Sequence, residues 1–363
     1  MGLARKNVEN ITSYIAGKPI EETKRQLGLK RVIKLASNEN PLGASPKALK
    51  AMKAVLNNVN RYPDSQSFYL KNKLAKVLKV KPGNIILGNG SDELIDIIIK
   101  TFVENDEEVL TSDVTFLEYG IISQVNDRRV CLTRLKDFKY DLNALLKNVN
   151  ASTKLIFIAN PNNPTGTYVK ATELSKFIAA LPKNVVVVLD EAYDAFIDVD
   201  DFPKGNKVLS VNKNVIILKT FSKAYGLAGL RVGYALADAK LISSMERVRQ
   251  PFNVNSLAQA AAIAALDDKQ FLLKTRKTVL SGKKFIYRQL DGMKVRYIPS
   301  VANFVLIDTK RDGVGIFKDM LKQGVIVRDM KQYGLNNFIR VTIGTREENN
   351  LFIKAFKKVL NRK

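Results

Sequence analysis

The chain has no histidine, no tryptophan and a single cysteine, Cys131, among its 363 residues. Without histidine it cannot build a Ser-His-Asp or Cys-His nucleophile system, an HExxH zinc site or a 2-His-1-carboxylate iron site. One cysteine excludes an intramolecular disulfide and a cysteine-rich zinc site, and no metal is expected. Long apolar runs are missing too: the densest, from Asn184 to Asp190, has the length of a strand, well short of the ~18 residues of a membrane span. The opening residues lack the apolar core of a secretory signal, so a soluble cytoplasmic protein with no membrane partner is expected. Any acid or base in this chain must be Lys, Tyr, Asp, Glu or a cofactor.

What the chain does have is charge of one sign and a large apolar fraction. Lys and Arg number 59 against 35 Asp and Glu, a net charge of +24, and 46% of residues are hydrophobic. That apolar fraction supports a sizeable core, and a compact body of 40.6 kDa exposes roughly 14,600 Å². The positive balance suits nucleic acid, anionic membranes or small phosphorylated and carboxylated ligands. The lysines are spread along the chain and nowhere form a basic block interleaved with aromatics, which favours a solvated surface and no nucleic-acid partner.

The middle of the chain alternates short β-branched runs with helix-length amphipathic segments. Strands are expected at Asn84–Leu87, Glu108–Thr111, Arg129–Leu132, Lys154–Ala159, Val185–Leu189, Val215–Leu218 and Arg231–Ala235, with helices such as Phe68–Leu78 and Ser91–Phe102 between them. Several strands are apolar throughout, so the pattern predicts an α/β body with a largely parallel sheet covered on both faces. The last third changes texture: nearly continuous helix over 256–290, strands near Ala302–Ile307, Val325–Val327 and Ile339–Ile343, and a closing helix from Glu347 to Leu360. This reads as a smaller α+β domain. The first forty-odd residues are too irregular for a domain of their own.

Four constellations carry chemistry. Gly88-Asn89-Gly90-Ser91-Asp92-Glu93 joins a strand to a helix; its successive N–H groups suit an anion, and equally a tight turn with Ser91 as N-cap. Asn160-Pro161-Asn162-Asn163-Pro164-Thr165-Gly166 follows an apolar strand, where α/β proteins bind ligands, and is also a plain Asx/Pro turn. Asp190-Glu191-Ala192-Tyr193 closes another apolar strand. A carboxylate there needs a metal, an arginine, a protonated cofactor nitrogen or a helix start to cap. Finally Ser222-Lys223-Ala224-Tyr225-Gly226 places a lysine in a tight turn, with Arg231 eight residues on. Lys223 is either a surface ion-pair partner or an amine nucleophile suited to a carbonyl, with Ser222 and Arg231 as phosphate ligands. Together the four supply an anion nest, an amide, a carboxylate, a phenol and an amine, the inventory of a pyridoxal phosphate enzyme.

The order Asn-Glu-Asn-Pro (38–41), Arg-Tyr-Pro-Asp (61–64), Gly-Ser-Asp-Glu (90–93), Pro-Asn-Asn-Pro-Thr-Gly (161–166), Asp-Glu-Ala-Tyr (190–193), Ser-Lys-Ala-Tyr (222–225), Gly-Leu-Arg (229–231) and Arg-Val-Thr-Ile-Gly-Thr-Arg-Glu-Glu (340–348) resembles the fold-type I pyridoxal-phosphate aminotransferases. Within their class II group it is similar to the histidinol-phosphate aminotransferase family, from about residue 8 to the end. The resemblance implies a large three-layer α/β/α domain over 46–260 with a mostly parallel mixed sheet, and a small α+β domain over 261–363. It also implies an N-terminal segment, 1–45, packing on the small domain and on a partner subunit.

The family's roles fall on matching positions. Lys223 would hold pyridoxal 5′-phosphate and move the proton, Asp190 would pair with the pyridine nitrogen, and Asn163 and Tyr193 would bond the ring's 3-oxygen. Ser91, Asp92, Ser222 and Arg231 would hold the phosphate, with Tyr62 reaching over from the second subunit of a homodimer. Phe116 would stack on the ring where many relatives have tyrosine. Arg340 would clamp the substrate carboxylate, with Arg328, Tyr14 and Asn38 at the substrate end and Arg328 on the substrate phosphate. The implied reaction is amino transfer between L-histidinol phosphate and 2-oxoglutarate, giving imidazole-acetol phosphate and L-glutamate, in histidine biosynthesis. An aromatic or broad-specificity aminotransferase, or a threonine-phosphate decarboxylase, would share most of these residues.

Overall fold

The computed structural model describes residues 3–361. Its first strand, β1 (Ile33–Lys34), runs parallel to a strand near the far end of the chain, Ile33 opposite Val325 and Lys34 opposite Ile326. The main sheet is built from β2 (Ile85–Gly88), β3 (Glu108–Ser112), β4 (Arg129–Thr133), β5 (Thr153–Ala159), β6 (Val186–Asp190), β7 (Val215–Thr220) and β8 (Gly233–Ala237). Its seven strands lie in the order β2-β8-β7-β6-β5-β3-β4. Only β8 runs against its neighbours, β2 and β7, while the other pairings are parallel. This is the expected mostly parallel mixed sheet. Its central strand β6 is buried along its whole length, as its uninterrupted Val-Val-Val-Leu run requires when both faces are covered.

The smaller region holds β9 (Tyr297–Ile298), β10 (Phe304–Asp308), β11 (Val325–Ile326), β12 (Arg328–Asp329) and β13 (Phe338–Thr342). A four-stranded antiparallel sheet forms in the order β12-β13-β10-β9. Helices Lys269–Gly292, Gly313–Lys322 and Arg346–Leu360 surround it. Thr345 and Glu348 close the last of these with a reciprocal capping box.

The helix expected over 256–290 is two helices, Ser256–Leu266 and Lys269–Gly292, broken at Asp267-Asp268. Asp268 explains the break, since its side chain accepts from the Phe271 N–H as an N-cap and from the Ser45 hydroxyl at 2.5 Å. The Ala-rich first half buries Ala258, Ala261, Ala262 and Ala265 in the core of the large sheet, against helices Pro46–Val55 and Phe68–Leu78. Residues from Val279 onward enter the second core. The supposedly irregular start carries two helices, Lys6–Glu9 and Ile20–Leu27, besides β1. No described helix is long and apolar enough to cross a membrane. The described surface is 18235 Å², well above the figure for one compact body of this mass.

Candidate active site

The carboxyl ends of β5, β6 and β7 and the start of helix Gly90–Phe102 converge on a cavity of about 290 Å³. Of the expected site residues, Tyr14, Asn38, Ser91, Asp92, Phe116, Asn163, Asp190, Tyr193, Ser222, Lys223, Arg231 and Arg340 line it. Tyr62 and Arg328 do not.

Asp190 ends β6 in full burial. Its Oδ1 accepts the Ala192 N–H at 3.0 Å and its Oδ2 accepts the Tyr119 hydroxyl at 2.7 Å. Burial weakens it as an acid, pushing its pKa up to about 6 against the pull of those two bonds. Lys223 stands in the turn after β7, with Nζ donating to the Ser37 carbonyl at 3.2 Å and lying 5.8 Å from the Tyr193 ring centroid. Burial, and then the Arg340 charge, lower it to about 8. Its loop lies directly on the N-terminal turn: a Cβ on Gly226, whose φ is +70°, would sit 2.0 Å from the Gly43 carbonyl oxygen. The Tyr193 hydroxyl accepts from the Asn38 amide at 3.0 Å, and burial pushes the phenol up to about 12.

The anion nest differs from expectation in its cap. Helix Gly90–Phe102 begins before Ser91, its N-cap residue is Asn89, and no side chain caps it. The reason is that Glu93 reaches back to the Asn89 N–H at 2.6 Å, leaving Ser91 within the first turn. Gly90 (φ +83°) is required here, because a Cβ would meet Arg231 Nη2 at 2.5 Å. Arg231 and Asp92, both expected on a phosphate, pair with each other at 2.9 Å in this structure. Both charges are half-exposed, so the pair contributes little to stability.

At the substrate end Arg340 is buried, donating to Asn163 Oδ1 and at 2.7 Å to the Ala36 carbonyl, while its Nε has no partner. Asn163 therefore faces Arg340 as well as the cavity. Arg328 lies opposite Arg340 across the β12–β13 pair but is covered by the N-terminal strap. It donates to the Ile15 carbonyl and, at 3.2 Å, to Gln332 Oε1, with the Tyr14 ring 5.3 Å above its guanidinium. Gln332 grips that strap like a strand partner, accepting from the Ile15 N–H and donating to the Ser13 carbonyl, each at 3.2 Å. Tyr62 stacks on Phe252 with ring centroids 4.7 Å apart and is 83% exposed.

Comparison with known proteins fits this geometry. The family model for aminotransferase class I and II matches residues 30–356. The histidinol-phosphate aminotransferase of Moorella thermoacetica is 44% identical over 98% of this chain and 92% of its own length. That of Desulfotalea psychrophila is 46% identical over 98% and 94%. The chain belongs to the histidinol-phosphate aminotransferase family. Among solved structures, the Sinorhizobium meliloti histidinol-phosphate aminotransferase in complex with pyridoxal-5′-phosphate superposes with a TM-score of 0.91. It is 29% identical and covers 99% of this chain and 98% of that one.

Within this family frame, sequence reasoning missed Tyr119, Gln332 and the Ser37 carbonyl. Tyr119 had a readable signal, an aromatic three residues beyond Phe116 at the start of helix Glu118–Val125, and the two rings meet edge-on at 5.5 Å. The Ser37 carbonyl had none, because backbone groups carry no residue signature.

Proposed function

We propose that this chain is a pyridoxal-phosphate-dependent aminotransferase that moves an amino group between L-histidinol phosphate and 2-oxoglutarate, giving imidazole-acetol phosphate and L-glutamate. The observation that carries the reading is one cavity holding a desolvated amine, Lys223, a buried carboxylate, Asp190, and an arginine with an unpartnered Nε, Arg340. The residues fit the cofactor: Gly90 lets the Arg231 guanidinium lie against the N-terminal turn of helix Gly90–Phe102, and a cation beside a helix start suits a phosphate.

The bound cofactor supplies a carbonyl that condenses with amines and a ring that accepts the electron pair left when a substrate Cα loses its proton. Lys223, lowered to about 8, offers a free amine in useful fraction near neutral pH and serves as the base at that Cα. Asp190 presents its charge to the ring nitrogen, and Tyr193 and Asn163 hold the 3-oxygen. Ser91, Asp92 through its helix-start N–H, Ser222 and Arg231 hold the phosphate, and Phe116 packs on the ring face. Arg340 takes the carboxylate of 2-oxoglutarate or glutamate, and Arg328, once freed from Ile15, takes the phosphate of histidinol phosphate, beside Tyr14 and Asn38.

In our reading the enzyme is a cytoplasmic homodimer. Tyr62, Phe68, Tyr69 and Phe252 are exposed aromatics near one another in sequence or by stacking, and an apolar face of this kind is characteristic of an interface. The partner's copy of Tyr62 would complete the phosphate site. We divide the chain into a large domain over 46–260 and a small one over 261–363, with helix Ser256–Leu266 crossing between them. Sedimentation should give about twice 40.6 kDa. Specific activities on histidinol phosphate, phenylalanine and threonine phosphate test the substrate. A tenfold or greater preference for histidinol phosphate is expected, and preference for phenylalanine or release of carbon dioxide from threonine phosphate overturns the reading.

A further inference from the structure

Asp190 has two protein donors of different origin. The Ala192 N–H belongs to its own turn and would be supplied by any residue but proline at 192. The Tyr119 hydroxyl comes from a separate helix and reaches Oδ2 at 2.7 Å. Tyr119 has no exposed surface. Its ring lies parallel to Phe157, with centroids 4.6 Å apart and 5° between planes, and edge-on to Phe116 at 5.5 Å. Clamped between two aromatic rings, the phenol cannot swing away from the carboxylate. Nor does it ionise in the working range, since burial and the Asp190 charge push it well above its ordinary value.

We propose that Tyr119 is a positioning residue that keeps Asp190 ionised and aimed at the cofactor's ring nitrogen. The inference rests on the function proposed above. A carboxylate buried this deeply tends to take up a proton, and a neutral Asp190 would have no charge with which to keep the ring nitrogen protonated. The groups acting on it are few. Tyr119, Ala192 and the Lys223 charge favour the ionised form, whereas burial and Asp92 oppose it. Tyr193, Tyr140 and Glu191 also face it, the two phenols neutral and Glu191 held by Lys219 at 2.7 Å. Of the favourable partners only Tyr119 has a side chain with no other part in the reaction, and a charge-assisted bond of its length is among the stronger kinds.

The test is Tyr119→Phe, which keeps the ring and removes only the hydroxyl, read by nitrogen-15 NMR of ring-labelled pyridoxal phosphate bound to the holoenzyme. The ring nitrogen is expected to lose its proton at a pH lower by about one unit or more than in wild type. Turnover should fall about tenfold while the KM for each substrate stays within twofold. An unchanged nitrogen titration overturns the proposal, whatever the activity. A second arm adds Tyr119→Phe to Asp190→Asn. If Tyr119 acts through Asp190, the double variant should match Asp190→Asn within twofold; a full multiplicative loss means a structural role and overturns the inference. Should wild type bind no pyridoxal phosphate, the functional reading fails separately. Carbon-13 titration of Asp190 in the cofactor-free chain then decides the matter: an upward move in Tyr119→Phe is expected, and no move overturns it.

Discussion

At the inner end of the cavity Asp190, Lys223 and Tyr119 stand on strand ends and a helix start locked to the seven-stranded sheet, whereas at the outer end Tyr14 and Ile15 belong to a strap without regular structure. No main-chain hydrogen bond joins residues 12–18 to the main chain of any described residue; Arg328 and Gln332 hold the strap through side chains. The inner end is withdrawn from solvent, so Asp190 is shifted up and Lys223 down in pKa. The outer end is exchangeable: the Ile15 carbonyl occupies Arg328 and the Ala36 carbonyl occupies Arg340, each a neutral oxygen that a ligand's anionic oxygen would outcompete. On the function proposed above, fixed groups at one end would perform the reaction, and cations with replaceable partners at the other would select what enters.

The largest effect that follows is at the inner end. Lys223→Ala should slow each half-reaction by about a thousandfold or more and abolish the visible absorbance of the holoenzyme. A loss below about tenfold, measured by single-turnover kinetics, would break the contrast.

Next come the two arginines. Arg340→Ala should harm the 2-oxoglutarate half-reaction most, because histidinol phosphate has no carboxylate. Arg328→Ala should weaken histidinol phosphate by a few kcal/mol, roughly a hundredfold. The measurement is kcat/KM for histidinol phosphate against its dephosphorylated analogue, and a preference that survives Arg328→Ala removes that residue from phosphate recognition.

The inner end should also reveal itself in stability. Asp190 titrates at about 6 in the folded chain and at about 3.9 when unfolded. Between those values the folded state holds the extra proton, so stability falls as pH rises, and above pH 6 the whole cost is present. Lys223, lowered to about 8, behaves in the opposite direction. Its cost is complete below pH 8 and is relieved as pH climbs toward the unfolded value of about 10.4. Asp190→Asn should therefore stabilise the cofactor-free protein at pH 7.5 by at most about 3 kcal/mol and flatten the slope between pH 4 and 6. Denaturant melts across that range check both. With no histidine in the chain, no imidazole overlays these transitions.

The smallest effect belongs to the strap. Gln332→Ala removes two weak bonds to the strap and one to Arg328, about 1 kcal/mol each, and should raise KM several-fold while leaving kcat nearly unchanged. Hydrogen exchange at Ile15 should quicken; protection equal to wild type would show that Gln332 does not hold the strap.

Much of the inner end was legible in the sequence because it is built from local signals. Uninterrupted apolar runs marked β5, β6 and β7, and the Asn-Pro, Asp-Glu and Ser-Lys segments sat at their carboxyl ends, so the parallel sheet alone brought them together. What escaped notice depends on distances between remote segments. The Tyr119 bond to Asp190 spans 71 positions, and the Arg328 bond to Ile15 spans 313. Of the two readings open for Ser91 the cap does not hold, because the helix already starts at Gly90 and Glu93 turns back to the Asn89 N–H. The break at Asp267-Asp268 was hidden by helical propensity on both sides, which Asp268 overrides by capping. Helix Pro46–Val55 was overlooked even though Ser45 and Pro46 form a plain start signal.

The pairing of β1 with β11 sets an order of events during synthesis. Ile33 leaves the ribosome early, yet its partner Val325 emerges only after most of the chain has been made. At about 5–20 residues per second the delay is on the order of tens of seconds. For that interval the turn at Gly43, on which the Lys223 loop rests, is attached to a segment with no strand partner. The sheet that carries Asp190 can be complete well before the lysine loop has its final support. A nascent chain stalled before residue 325 should therefore show the folded large sheet while the Lys223 amine still titrates above about 8.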